Sequence, residues 1–134
     1  MSVEYQGYQG DHCNLQAVYD FVAAHLLKQG RRATVAVGLR KGSNCRLRGD
    51  AGTMCAVGCL IPDVDYRPSM EDSVAYDWTE DRFKVAKRSG LLESLRTLHD
   101  FRVAADWPKA LRNLATRHRL SPIPQRRLSP KNGC

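Results

Sequence analysis

The sequence predicts a single, mainly helical α+β domain in which about four helices pack on one β-hairpin. Three observations carry that expectation: apolar stripes at helical spacing near both ends of the chain, a switch to period-two alternation between Ala33 and Arg48, and glycines and prolines at the joints. With 134 residues, 43% of them hydrophobic and 26% charged, the chain can bury a core without disulfide staples.

The first helix is read from "NLQAVYDFVAAHLLKQG". Asn14 is placed to cap it, Leu15, Val18, Tyr19, Val22 and Leu26 share a face, and Gly30 suits its end. His25 lies beside that stripe and reads as a packed helix residue. Ala33, Val35, Val37 and Leu39 then alternate with Thr34, Ala36, Gly38 and Arg40. "KGSN" makes a loop, and "CRLR" returns with Cys45 and Leu47 inward and Arg46 and Arg48 outward, completing the hairpin.

Thr53 is expected to cap a short helix, "MCAVGCLI", which Pro62 ends; an acidic loop follows as far as Ser73. "VAYDWTEDRFKVAKRSG" mixes strand-like alternation at Val74, Tyr76 and Trp78 with a helical turn at Phe83, Ala86 and Lys87. Ser89 caps a helix with Leu91, Leu95 and Leu98 inside. Asp106 caps the last one, which has Pro108 in its first turn and Trp107, Leu111, Leu114 and His118 on one face. The expected organisation is an N-terminal arm over residues 1–12, one globular domain over 13–120, and a basic, proline-containing tail over 121–134.

The net charge of +7 is distributed in blocks. Residues 28–48 carry seven cations and no acid; residues 63–81 carry seven acids against Arg67 alone; after Asp106 every charged side chain is basic. Such asymmetry steers a partner of opposite sign. Two readings follow: a phosphate-binding surface for nucleic acid, or a dipolar protein whose faces satisfy one another or dock on a protein. The candidate contact residues are Arg46, Arg48, Arg112, Arg117, Arg119, Arg126 and Arg127, with Asp63, Asp65, Glu71 and Asp72 as an acidic rim. No apolar run approaches the roughly 18 residues of a membrane span, and the N-terminus lacks the basic start and apolar stretch of a secretory signal. The expected location is the cytoplasm.

"GTMCAVGCLIPD" concentrates the chemistry. Cys55, in the first turn of the expected short helix, is where a lowered thiol pKa would make a nucleophile. His99 is its candidate base, with Asp100, Asp106 or Asp63 to orient the ring; His99 and Asp100, as helix neighbours, point about 100° apart and do not readily face each other. Alternatively Cys45, Cys55 and Cys59 converge on zinc, with His12 or Cys13 as fourth ligand, although their spacing is not that of a paired zinc knuckle. The simplest reading makes these cysteines small buried hydrophobes, and no cofactor is then expected. "RGDAGTMCAVG" also brings glycines to a junction where amides can receive an anion, without the lysine of a P-loop.

In the order of its parts the chain resembles a group of small proteins from tailed phages and prophages. The matching elements are His25–Gly30, the Cys-x-x-Arg-Gly turn of Cys45–Gly49, the Gly-x-x-Cys-Ala-Val-Gly-x-Leu-Ile-Pro-Asp run of Gly52–Asp63, Tyr66, the Leu98–Asp100 "LHD", and Trp107–Leu120. It departs from them in "RRATVAVGLRKGSN" and in the basic tail. The resemblance implies a mobile-element origin and a non-enzymatic accessory role: binding and modulating a host protein or nucleoprotein complex, as anti-defence inhibitors such as anti-CRISPR proteins do. A nucleic-acid-binding protein and a cysteine-dependent enzyme are the alternatives.

Overall fold

A computed structural model describes residues 4–34, 46–71 and 75–122. Helix α1 (Leu15–Gln29) starts where the Asn14 side chain accepts the Ala17 amide at 3.0 Å. It stops at Gly30, whose φ of 69° turns its own amide onto the Leu26 carbonyl. Its buried face is Val18, Tyr19, Val22, Ala23 and Leu26, matching the stripe in the sequence.

The ambiguous stretch is helical. Helix α2 (Ala75–Arg82) and helix α3 (Lys84–Arg88) are short and break at Phe83, which is fully buried. Trp78 is buried too, and its indole N–H donates to Asp65 at 3.1 Å. Helix α4 (Leu91–Phe101) buries Leu91, Leu92, Leu95, Leu98 and His99, and helix α5 (Trp107–Arg117) buries Trp107, Leu111, Leu114 and Ala115. Ser89 contributes at the start of α4 by accepting the Leu91 amide. Asp106 occupies the cap position of α5, but its side chain makes no capping bond, because a 3-10 turn over Ala104–Asp106 leads straight into the helix.

Helices α4 and α5 form an antiparallel pair: Ser94 meets His118 at 3.0 Å at one end, and the Arg102 carbonyl receives the Trp107 indole at the other. Helix α1 lies against both, with the buried Tyr19 hydroxyl donating to the Leu111 carbonyl at 2.9 Å. Helix α3 packs on α4 and α1, and the segment around Leu60 and Ile61 closes the core. The N-terminal arm runs alongside that segment: the Tyr8 amide donates to Leu60, the Asp63 amide to Tyr5, and the Tyr5 hydroxyl to Cys59.

The α+β expectation is corrected, because the described residues contain no β-strand and the fold is helical. The centre of the expected hairpin, residues 35–45, lies outside the described residues. Around it stand one isolated bridge between Arg48 and Met54 and single bonds from Arg46 to Ala33 and from Asp50 to Thr34. The physical reason is competition for donors. The Arg46 amide reaches Ala33, and the next amide a returning strand would offer on that side, that of Arg48, goes with the Leu47 amide to the Glu71 carboxylate, at 3.2 and 2.8 Å.

The short helix expected from Thr53 does not form either; a 3-10 turn over Gly58–Leu60 replaces it. Thr53 donates back to the Asp50 carbonyl instead of capping, the Met54 amide goes to Gln29, and the Cys55 amide goes to Leu47. With those donors claimed by neighbours, a helix start there has little to gain.

This loop region is dense because backbones cross at glycine. A Cβ on Gly49 would lie 2.5 Å from the Thr34 nitrogen, and one on Gly58 would overlap the Leu47 carbonyl. Gly58→Ala should therefore lower stability by about 3 kcal/mol or more, the upper end for overpacking. Gly30→Ala, with nothing within 4 Å, should lose only the about 1–2 kcal/mol of a left-handed backbone. Urea unfolding of both variants measures this; equal losses would contradict the crossing.

Candidate functional site

Two places on the molecule concentrate side-chain chemistry. The first is a polar latch within residues 46–71. Arg48 donates to Asp63 at 2.5 Å and to the Ile61 carbonyl at 2.9 Å, and its guanidinium lies 4.3 Å over the Tyr66 ring. Tyr66 donates to Glu71 at 2.6 Å, so Glu71 serves one hydroxyl and two backbone amides. The Tyr5 amide and then Arg48 hold the Asp63 carboxyl below its ordinary range. Burial, with the Glu71 carboxylate second, pushes the Tyr66 hydroxyl up to about 12. Across the loop His25 and Gln29 of α1 grip Met54: His25 Nε2–H and the Gln29 amide donate to its carbonyl, and Gln29 Oε1 accepts its N–H. That bond makes Nε2 the protonated nitrogen of the neutral ring, and burial lowers the pKa of His25.

The thiols of Cys55 and Cys59 are enclosed. Cys55 is 5% exposed, burial drives its pKa to about 12, and its sulfur accepts the Gly58 amide at 3.2 Å. Cys59 is fully buried and donates to the Ala56 carbonyl. His99 is fully buried against Trp107, and contrary to the expectation from helix geometry it does meet Asp100, at 2.7 Å. Nδ1 sits close to its own backbone, within reach of the short neighbouring carboxylate. Since the Ala33 amide donates to Nε2 at 2.9 Å, the proton resides on Nδ1 and the basic lone pair is occupied. No hydrogen bond joins Cys55 to His99 among the described residues. Nor does any group of three metal-ligating side chains converge among them; Cys45 lies outside them.

The second place is a groove of about 650 Å³ along the seam of α4 and α5. Leu98 and Ala110 line it, with Lys109 and Arg117 on the α5 side, Glu93 and Ser94 at one end and Phe101 and Arg102 at the other. Phe101 is 76% exposed, and Val103 just beyond it 57%. The Ser94–His118 bond joins the helices near the Ser94 end; burial and Arg117 lower the pKa of His118. Among the described residues no carboxylate orients the other ring nitrogen, so the pair reads as a tie between helices.

The structure divides the candidate contact residues. Arg48, Asp63 and Glu71 engage one another or backbone, and Asp65 holds Trp78. Arg46 is half-buried, its amide on Ala33. Arg117 and Arg119 are exposed, Arg112 is half-exposed, and of the three Arg117 lines the groove. Asp72, Arg126 and Arg127 lie outside the described residues. The groove's Phe101, Arg102 and Lys109 were not among the candidates. The signal that could have found it is Phe101, an aromatic outside the Leu91, Leu95 and Leu98 stripe.

No protein-family model, curated protein or solved structure matches the chain. No helix among the described residues is long and apolar enough to cross a membrane.

In the native protein near neutral pH, exposed Cys13 should be alkylated while Cys55 and Cys59 stay protected until denaturant is added. Peptide mass mapping after iodoacetamide decides this. Alkylation of Cys55 at the rate of Cys13 would restore the nucleophile reading.

Proposed function

We propose that the protein is a non-enzymatic accessory protein of mobile-element origin that binds and modulates a host protein, with the α4–α5 groove as its contact surface. The observation that carries this reading is the exposure of Phe101, 76% open to solvent, on the rim of that groove. A large exposed aromatic beside a concave, partly apolar seam is the anatomy of an interface anchor. Every charged side chain after Asp106 is basic, which favours an acidic partner surface. Burial of Cys55 and the occupied lone pair of His99 weigh against an enzyme that uses Cys55 as nucleophile and His99 as base. Inhibition of a host defence complex, anti-CRISPR activity included, is the modulation to which this reading extends.

The exposed aromatic separates a protein partner from nucleic acid. Phe101→Asp should leave the helical circular dichroism unchanged, because the ring is mostly in solvent, and lower the unfolding midpoint only slightly, because a carboxylate in the last turn of α4 opposes the helix dipole. It should abolish retention of a host protein that the unchanged chain retains in affinity purification from bacterial lysate. Retention unaffected by Phe101→Asp, or recovery of nucleic acid alone with affinity falling steeply as salt rises, would overturn the reading.

A further inference from the structure

We infer that the α4–α5 groove takes an amphipathic helix of its partner, laid along the seam with acidic side chains about two turns apart facing Lys109 and Arg117. This rests on the reading that the groove binds a protein. The lining elements are two helices whose backbone groups are used internally, so an extended strand could not add by main-chain bonding; recognition must come from side chains. Leu98 and Ala110 give the groove an apolar strip, with Ser94, Thr97 and Asn113 as short polar side chains beside it, a profile that admits the ridge of an amphipathic helix.

Charge fixes the chemistry of that helix. Lys109 and Arg117 lie two turns apart on α5, about 12 Å, which matches residues seven or eight apart on a facing helix. Their field is not cancelled within the groove. Glu93 at one end is engaged by Arg96 at 3.7 Å, which leaves Asp106 as the one other acid of the lining against Arg102, Lys109 and Arg117. The exposed Phe101 ring then covers one end of the bound helix as its apolar anchor.

The test places a benzophenone amino acid at Thr97, exposed on the groove's rim, or at Thr116, exposed but not lining it. Each variant is irradiated in bacterial lysate and the cross-linked partner residue is mapped. The expected result is a Thr97 cross-link, stronger than that from Thr116, into a helical partner segment with acidic residues seven or eight apart. Lys109→Glu with Arg117→Glu should weaken retention of that partner several-fold, and partner acids changed to Lys should restore it. A cross-link into an extended or basic segment, or retention indifferent to the charge reversal, overturns the helix proposal. If Phe101→Asp still abolishes retention in that case, the broader protein-binding reading stands; if no protein is retained by any variant, both fall.

Discussion

The carboxylate of Glu71 accepts the amides of Leu47 and Arg48 and the hydroxyl of Tyr66, and through these three bonds it sets the course of the segment from Arg46 to Glu71. An acidic side chain here does the work of a strand neighbour. With both amides held, Leu47 turns its carbonyl to Cys55, Arg48 swings its guanidinium onto Asp63 and Ile61, and Tyr66 is pinned beneath that guanidinium. A charged acceptor for buried amides forms stronger bonds than a neutral carbonyl, which suits a segment with little regular structure to support it. The arm at Tyr5 and the grip of His25 and Gln29 on Met54 then fasten the segment to its surroundings.

Helices α1, α4 and α5 were legible in the sequence, α2 and α3 only as an ambiguous stretch, and this segment was not, for a physical reason. Stripes such as Val18, Val22 and Leu26, or Leu91, Leu95 and Leu98, repeat a local geometry, and the caps Asn14 and Gly30 are local chemistry. The path of residues 46–61 is set by partners far along the chain: Glu71 for Leu47, Gln29 for Met54 and Leu47 for Cys55. The small residues of "MCAVGCLI" describe burial correctly, since Cys55, Ala56, Cys59 and Leu60 are all inside, whereas the in-and-out alternation read from "CRLR" is not found: Arg46, Leu47 and Arg48 are all half-buried, and Cys45 lies outside the described residues. Neither pattern can say which carbonyl or carboxylate each amide will find. The small residues instead mark crossings, above all Gly58 on Leu47.

The same division runs through the functional reading. The chemically suggestive residues of the sequence, Cys55, His99 and the Arg48–Asp63 pair, are consumed in holding the fold: thiols behind burial, an imidazole with both nitrogens bonded, an ion pair closed on itself. What faces outward is a seam between α4 and α5 with an exposed aromatic and basic flanks. A latch that fixes loops rigidly and a helical pair that offers a groove suit a protein that acts by shape and charge.

The measurement closest to the centre of this account is amide hydrogen exchange on Glu71→Gln. A glutamine keeps one acceptor oxygen where the carboxylate has two, so one of the amides of Leu47 and Arg48 must lose its partner, at a cost of about 1–3 kcal/mol. The account predicts that protection falls at Leu47, Arg48 and Cys55 while α1, α4 and α5 keep theirs. Unchanged protection at Leu47 and Arg48, with unchanged stability, would contradict the role given to Glu71.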